Sequence, residues 1–586
     1  MNSKFYLTCW LACVLASVQY AHAGAADKKF ERILDDHWQY SLQESPFTAS
    51  SEGDKRYNRQ LPKTSLADLA RRAEQSEKFL QRLNKIKVKK LSASNQLNLQ
   101  LLKQDLEYQV KRHDVKYDLI NLTNRGGIHL DYLYSMNRLA LFTEQDYRDY
   151  IERIRAFPEY LSGHVEVMRE AIKHGFTHAC ESMQGYETSI SAHIVDAASD
   201  SSLYQPFNSL PDRLSEDTRS QLKAEAQAAI SDQFIPPLKQ LYQVYTKEYH
   251  PACQQNPGIR HWQNGDEIYK SRVAQFTTTD LTPQEIHDLG LSEVKRINGE
   301  MQQAVKDAKF HGNVQEFIDY LRTDPRFYPK TPEELVSVVS TISKKMDGFM
   351  PQLFGKLPRQ PYGIEEVPAD IAEKTTIAYY APGASDGTRA GFYFINTSKL
   401  ESRPLYTMEA LTLHEAVPGH HLQIALSLES EIPDFRRQVN YTVFIEGWGL
   451  YAERLGLEVG FYQDPYSNFG RLSYEMWRAL RLVVDTGIHS LGWSRQQAID
   501  FMAENSALSL HNITSEVDRY ITWPGQALAY KIGELKIREL RAKAEQELKE
   551  DFDLRAFHDE ILSHGAIPLS VLETLVNQWI DDSQSS

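Results

Sequence analysis

The feature that most constrains the fold of this chain is a stripe of apolar residues that recurs at spacings of three and four positions. Residues 65–122 show the stripe most clearly, and its members there include Leu66, Leu69, Ala73, Phe79 and Leu83. This spacing places apolar side chains on one face of an α-helix, and several such helices are typical of a helical bundle. Similar patterns recur over residues 144–173 and 218–248. The sequence therefore predicts a mainly α fold with a helical bundle in its N-terminal part.

Two segments carry a β-strand pattern instead. Residues 375–380 and 391–396 are rich in aromatic and β-branched side chains. The turn-forming residues between them are Pro382, Gly383, Asp386 and Gly387. This arrangement predicts a β-hairpin with a long loop, and hence a small β-sheet in an otherwise helical chain.

A polar stretch with prolines and a glycine, residues 249–265, indicates where the chain divides. We predict a soft boundary near residue 270, between an N-terminal helical domain of residues 24–270 and a second domain of residues 271–586. Just beyond this boundary, Thr282 suits a helix cap and Pro283 suits the first helical position. We expect this helix to run to about Phe310.

The N-terminus has the pattern of a secretion signal. Lys4 precedes an apolar run over residues 5–18, and Ala21-His22-Ala23 is a small-x-small cleavage site. Because the run is shorter than the ~20 residues of a membrane span, it predicts a signal peptide of residues 1–23. We therefore expect an exported protein, periplasmic or extracellular, without a stable membrane span.

The net charge and the cysteine content limit the possible partners and metal ligands of the protein. The net charge of −14 argues against a nucleic-acid partner, whose phosphates require a cationic surface. Beyond the signal peptide the only cysteines are Cys180 and Cys253. In an oxidising compartment they could form one disulfide, and two separate buried thiols are the alternative. Two cysteines cannot form a thiolate zinc site alone, so a metal would rely on histidine and carboxylate ligands.

The segment with the strongest chemical signal is Leu411-Thr-Leu-His-Glu-Ala-Val-Pro-Gly-His-His-Leu-Gln423. A His-Glu pair on a helix is typical of zinc hydrolases, in which the imidazole binds the metal and the carboxylate activates water. His414 and Glu415 suit these two roles. The usual second ligand lies four residues after the first, but Pro418 occupies that position and cannot bind zinc. Pro418 and Gly419 predict a break in the helix, which would let a later histidine turn back toward the metal.

Two histidines are candidates for the second ligand and two glutamates for the third. We favour His420 and hold His421 in reserve. Glu446 lies in an apolar helical run, where an unpaired charge is costly and a bound cation would compensate it. Glu453, seven residues later on the same helix face, is the alternative ligand or a partner of one. The alternative for the histidines is that they are ordinary surface or capping residues. The alternative for Glu446 is a buried glutamate paired with an arginine.

Around these residues the chain resembles a family of exported bacterial proteins of unknown function in the zincin group of peptidases. The matching motifs are His414-Glu-Ala-Val-Pro-Gly-His-His421, Glu446-Gly-Trp-Gly-Leu-Tyr-Ala-Glu453, Asp485-Thr-Gly-Ile-His489 and Trp523-Pro-Gly-Gln-Ala-Leu-Ala-Tyr530. More distantly the chain is similar to the gluzincins, including the mainly helical carboxypeptidase Taq type. The resemblance implies a zincin-like catalytic domain in residues 271–586, with Zn²⁺ as cofactor and a peptide as substrate. It also implies that Glu446 is the third zinc ligand and that Tyr530 stabilises the oxyanion.

Further residues could support catalysis. Arg481, Asp485 and His489 follow one another at spacings of four, on one face of a helix. Asp485 could orient His489, which would then donate to the oxyanion or bind substrate. A solvated salt-bridge face is the alternative. Tyr520 is the reserve for Tyr530, and either could be a packed core tyrosine.

Three residues are candidates for substrate binding: Arg389, Tyr393 and Arg519. The strand of residues 391–396, taken as an edge strand beside the zinc helix, could hold an extended peptide by main-chain hydrogen bonds. Arg389 could meet a substrate carboxylate. A purely structural hairpin is the alternative.

Together these observations predict a zinc metallopeptidase that hydrolyses short peptides. His414, His420 and Glu446 would hold Zn²⁺, and Glu415 would act as general base. The alternatives are an amidase acting on cell-wall peptides and a catalytically silent protein that binds metal or peptide. The oligomeric state and the substrate sequence stay open.

Overall fold

A computed structural model gives the fold for residues 24–372, 376–384 and 389–585. It is 71% helical with one small sheet, which confirms the predicted mainly α class. The predicted signal peptide and the turn residues Asp386 and Gly387 lie outside the described residues. Within the described ranges, no helix combines the length and the apolar character that crossing a bilayer requires.

The N-terminal half consists of helices joined by short 3₁₀ and π turns. In chain order they are α1 Ala25–Glu44, α2 Pro46–Ser51, α3 Leu66–Leu83, α4 Ala93–Asp114, α5 Ile128–Asn137, α6 Glu144–Arg155, α7 Phe157–Lys173, α8 Glu187–Ser191, α9 Gln205–Asn208, α10 Glu216–Ala229, α11 Ile235–Val244 and α12 Gly265–Thr277. Cys180 and Cys253 form a disulfide between two of the connecting segments.

The C-terminal half is also helical and contains the sheet. Its helices are α13 Pro283–Asp307, α14 Val314–Thr323, α15 Pro332–Asp347, α16 Met350–Leu353, α17 Ala369–Ala372, α18 Met408–Glu415, α19 His420–Glu429, α20 Asp434–Gln438, α21 Thr442–Leu455, α22 Pro465–Thr486, α23 Arg495–Asn505, α24 Leu510–Thr522, α25 Ala529–Leu548, α26 Leu554–Leu562 and α27 Leu569–Gln584. The predicted start of α13 is confirmed, because Thr282 and Glu285 form a reciprocal capping box. The helix ends at Asp307, three residues short of the predicted end.

The sheet has three strands, β1 Tyr362–Glu366, β2 Ala378–Ala381 and β3 Gly391–Ile395, in the order β1-β3-β2. Strands β2 and β3 are antiparallel, as the predicted hairpin requires, whereas β1 pairs with β3 in parallel. Strand β3 is therefore central, and its prediction as an edge strand that holds a peptide was wrong. The error follows from β1, whose Tyr-Gly-Ile-Glu-Glu sequence carries little β pattern.

The hydrophobic core crosses the predicted domain boundary. One continuous cluster joins buried residues of α1, α3 and α4, such as Phe30 and Leu102, to residues around the sheet and α21, such as Tyr393 and Trp448. A second cluster, from Leu122 to Tyr249, packs helices α5 to α11. Residue 270 lies inside α12. The division into two domains stays a prediction, and a boundary at that residue would cut a continuous helix.

Candidate metal centre

The first ligand segment contains the break that the sequence predicts. Helix α18 ends at Glu415, Ala416 leaves the helical conformation, and α19 begins at His420. The peptide bond between Val417 and Pro418 is cis. The connection folds tightly against α18, because a Cβ on Gly419 would lie 1.9 Å from the carbonyl oxygen of His414. The indole Nε1 of Trp448 donates to the carbonyl of Pro418 at 2.8 Å and fixes the connection from α21.

This geometry brings His414, His420 and Glu446 together. One donor atom from each lies within 4.8 Å of the other two. Glu446 Oε2 is 3.4 Å from His414 Nε2 and 3.5 Å from His420 Nε2, and the two imidazole rings are 4.6 Å apart. These are the three residues that the sequence favours as ligands.

Two residues of α21 and one of α22 position His414. Its Nδ1 is 2.8 Å from Glu453 Oε1, and the guanidinium of Arg478 lies 3.3 Å from the same oxygen. A carboxylate that accepts from one imidazole nitrogen leaves the other free for a metal, an arrangement that recurs around protein metal sites. One helical turn before Glu453 on the same helix, a Cβ on Gly449 would lie 2.9 Å from His414 Nε2. Glu453 thus has the position of a ligand's partner, and Gly449 leaves room for the ring.

The cluster is strongly polarised. Burial opposes ionisation of Glu446, but the imidazoles of His414 and His420 outweigh it and hold the pKa of Glu446 well below its usual value. Burial also disfavours the charged form of His414, yet Glu446 and Glu453 raise the pKa of His414 to about 9. The carboxylate field around these rings is one that a dication would satisfy.

His421, the reserve ligand, faces elsewhere. Its Nδ1 is 2.9 Å from the hydroxyl of Tyr380, and its ring packs 4.6 Å from that of Tyr362. Burial lowers the pKa of His421 to about 4. The structure therefore places this imidazole, neutral, between α19 and the sheet and not in the cluster.

Glu415 and Tyr530 flank the cluster. Glu415 is half-buried and close enough to His414 to act on its pKa, and within the described part of the chain its carboxylate has no hydrogen-bond or ion-pair partner. Tyr530 is brought near Glu446 by a close helix contact, since a Cβ on Gly447 of α21 would lie 2.5 Å from the Cα of Gly533 on α25. Burial raises the pKa of Tyr530, and Glu446 adds to this.

His489 and Tyr520 are engaged in structural contacts. His489 Nδ1 accepts from the Ile259 N–H at 3.2 Å, and its Nε2 is 2.9 Å from the carbonyl of Tyr520, so neither nitrogen is free to meet an oxyanion. The prediction that Asp485 orients His489 was wrong. Asp485 instead accepts a hydrogen bond from the hydroxyl of Tyr269 at 2.6 Å. The Tyr520 hydroxyl is bonded to Arg481, Trp477 and Glu516.

The three predicted substrate-binding residues lie in different surroundings. Arg389 is exposed in the loop before β3. Tyr393 is fully buried in the central strand, with its hydroxyl 3.5 Å from Thr412 Oγ1. Arg519 lines a cleft of about 1170 Å³ between the N-terminal helices and the C-terminal half. Thr442, one helical turn before Glu446 on α21, also lines the cleft, so the cleft reaches the helix that carries the third ligand.

The sequence did not identify the residues that position His414. Arg478 and the role of Gly449 depend on how α18, α21 and α22 pack together, which local periodicity does not report. A glycine inside a helical pattern, as in Glu446-Gly-Trp-Gly449, does signal close approach of another group. That signal could have identified Gly449.

A family model described as a bacterial protein of unknown function (DUF885) matches residues 46–576. The chain belongs to this family. No curated protein matches the chain. The DUF885 match includes His414, His420 and Glu446 and most of the cleft lining, except the part of that lining that α1 supplies.

Two solved structures share the fold. A candidate lipoprotein from Colwellia psychrerythraea has 27% identity and a TM-score of 0.89, and the match covers 96% of this chain and 100% of that one. A candidate lipoprotein of unknown function from Shewanella oneidensis has 20% identity and a TM-score of 0.73, and covers 95% and 100%. The second likeness shows the fold alone.

Proposed function

We propose that this member of the DUF885 family is a zinc-dependent peptidase that acts on short peptides. The observation that carries the proposal is the convergence of His414, His420 and Glu446, whose donor atoms lie within 4.8 Å of one another. Two imidazoles and one carboxylate are the ligand set of many catalytic zinc sites, which keep one position open for water or substrate.

The residues present suit a dication. Glu415, Glu446 and Glu453 all act on His414, and Glu446 also lies 3.5 Å from His420. Arg478 is a cation that pairs with Glu453. A zinc ion supplies a Lewis acid that lowers the pKa of water and polarises a peptide carbonyl. Glu453 keeps the Nδ1 proton of His414 in place, so that Nε2 presents its lone pair.

Proton transfer is assigned to Glu415. Its unpaired carboxylate takes a proton from the attacking water and delivers it to the leaving amine nitrogen as the C–N bond breaks. The second water proton follows to the same nitrogen, so the products are a carboxylate and an ammonium group. Tyr530 donates its hydroxyl hydrogen bond to the carbonyl oxygen as negative charge develops there. Since burial raises the pKa of Tyr530, this hydroxyl stays protonated at neutral pH.

The cleft suggests the substrate size. A volume of about 1170 Å³ is just above the usual range of small-ligand sites and suits a peptide of a few residues. Strand β2 packs against α18 and is an edge strand of the sheet as far as the structure describes it, so it could pair with an extended peptide. This role replaces the one predicted for β3.

The decisive test compares wild-type protein with Glu415→Gln. We expect zinc content, measured by elemental analysis, to be unchanged and hydrolysis of a short-peptide library to fall by at least about 100-fold. Undiminished hydrolysis by Glu415→Gln would refute the assigned mechanism. His420→Ala should lose the metal, whereas His421→Ala should retain it.

Export is a second part of the proposal. The signal-like residues 1–23, the Cys180–Cys253 disulfide and the description of both structural neighbours as candidate lipoproteins support a location outside the cytoplasm. Fractionation of cells that produce the full chain tests this: recovery in the cytoplasm with the N-terminal segment uncleaved and both thiols free would contradict it.

A further inference from the structure

Arg481 is a buried cation whose hydrogen-bonding capacity the protein uses only in part. Its side chain is 5% exposed, and its guanidinium lies between the rings of Tyr530 and Trp477, at 4.3 and 4.4 Å. Its Nε donates to the hydroxyl of Tyr520 and its Nη2 to Glu516. Its Nη1 is buried and has no hydrogen-bond partner among the described residues. A buried cationic N–H without an acceptor is costly, so an acceptor from outside the chain is expected.

The charges around Arg481 do not balance. Glu516 is shared by three guanidinium groups, those of Arg481 at 3.2 Å, Arg519 at 3.0 Å and Arg125 at 3.3 Å. One carboxylate leaves two positive charges uncompensated. Asp485 also acts on Arg519, but its oxygens accept from the hydroxyl of Tyr269 and the N–H of Gly525.

This excess of positive charge lies between the cleft and the metal centre. Arg125 and Arg519 line the cleft. Tyr530, whose ring contacts Arg481, lies within electrostatic reach of Glu446. The three arginines on Glu516 therefore extend from the cleft lining to the tyrosine beside Glu446.

We propose that Arg481 and Arg519 bind the C-terminal carboxylate of the peptide substrate, so that the enzyme cleaves close to a free C-terminus. The inference rests on the proposed function. The planar fork of a guanidinium matches the two oxygens of a carboxylate. Arg389, the sequence candidate for this role, is exposed at the surface and lacks the burial that gives such a contact its strength.

A binding experiment tests the carboxylate site separately from catalysis. Zinc-loaded full-length Glu415→Gln protein is titrated with a degenerate pool of tetrapeptides in two forms, the free acid and the C-terminal amide. We expect the free acid to bind at least about tenfold more tightly, because the amide removes a charge-assisted contact. Equal binding of the two pools, or binding of neither, would overturn the site.

An acidic side chain could supply the same carboxylate chemistry. A third pool, amidated and carrying one internal Glu, separates these sources: binding as tight as that of the free acid would overturn the C-terminal assignment. Because binding is measured without turnover, an acid preference in a protein that hydrolyses nothing supports the carboxylate site and refutes the peptidase. Equal hydrolysis of acids and amides by wild-type protein supports the peptidase and refutes the carboxylate site.

A matched pair of variants ties the effect to Arg481. Arg481→Lys keeps the cation and removes the guanidinium fork, and we expect the preference for the free acid to fall by about tenfold. Arg495 of α23 pairs with Asp518 of α24, so Arg495→Lys makes the same exchange in a different ion pair and should leave the preference unchanged. An unaltered preference in a folded Arg481→Lys protein would overturn the assignment. If this variant does not fold, the comparison of acid and amide on Glu415→Gln protein still decides the proposal.

Discussion

The substitution Gly449→Ala tests the metal centre without removing any ligand. Gly449 lies on α21 against the imidazole of His414, and an added Cβ would lie 2.8 Å from Cε1 and 2.9 Å from Nε2 of that ring. Ordinary carbon contacts begin near 3.5 Å, so the ring must move by roughly 0.7 Å. Its freedom to move is small because Nδ1 is bonded to Glu453 at 2.8 Å.

A displacement of this size is large for a metal site. Ligand distances in such sites vary by only about 0.2 Å, and disturbing the groups that position a ligand weakens metal binding by about 10- to 100-fold. This corresponds to about 1.4–2.7 kcal/mol of zinc-binding free energy. Alanine also favours a helix over glycine by ~1 kcal/mol, which offsets part of the strain. We therefore expect the melting temperature of the metal-free protein to change by only a few degrees.

The assay is competition for zinc between the protein and a chromophoric chelator, with thermal unfolding of the metal-free protein measured in parallel. Gly299→Ala is the matched control, since Gly299 lies inside α13 and a Cβ there would meet nothing within 4 Å. The control should bind zinc as wild type does and gain up to ~1 kcal/mol in stability. Wild-type zinc affinity in Gly449→Ala would show that the imidazole of His414 is not a ligand in this position.

Three further changes test the surrounding fold. Gly533→Ala should lower the free energy of unfolding by about 2–3 kcal/mol in urea titrations, because its Cβ would lie 2.0 Å from the carbonyl oxygen of Val443. An unchanged urea midpoint would contradict the close contact of α21 with α25. Cys253→Ser should cost about 4 kcal/mol, since the disulfide spans 73 residues, and reducing agent should then have no further effect on the urea midpoint. Burial raises the pKa of Asp485 from 3.8 to about 7, so the folded state binds more protons than the unfolded state between these values and stability falls as pH rises across that window. Asp485→Asn should flatten this fall in melting temperature, and a profile identical to that of wild type would disprove the assignment.

Local signals account for what the sequence could predict. The cap at Thr282, the hairpin of β2 and β3 and the helix break before His420 each depend on a few neighbouring residues. The contacts of His489 depend on tertiary packing. Its spacing from Asp485 places both residues on one helix face, but it does not predict which backbone groups pack against that face. Ile259 and Tyr520, which bind both nitrogens of His489, come from segments far apart in sequence. Strand β1 was missed for a related reason, because a half-exposed strand with two glutamates forms only once β3 provides a partner.

The unusual spacing of His414 and His420 also combines a local signal with tertiary packing. On a continuous helix, His420 would point away from the face that carries His414, and the motif would be a defective form of the common four-residue spacing. The chain instead ends one helix at Glu415 and starts the next at His420, with Gly419 folded so closely over His414 that no side chain fits there. The residues between the ligands therefore form a compact connection whose first and last positions are neighbours in space. This connection needs a glycine where the backbone returns and an anchor for the carbonyl of Pro418, which Trp448 supplies from the helix of the third ligand. Because that anchor lies two residues after Glu446, the contact that fixes the break also sets the distance between the two histidines and the glutamate.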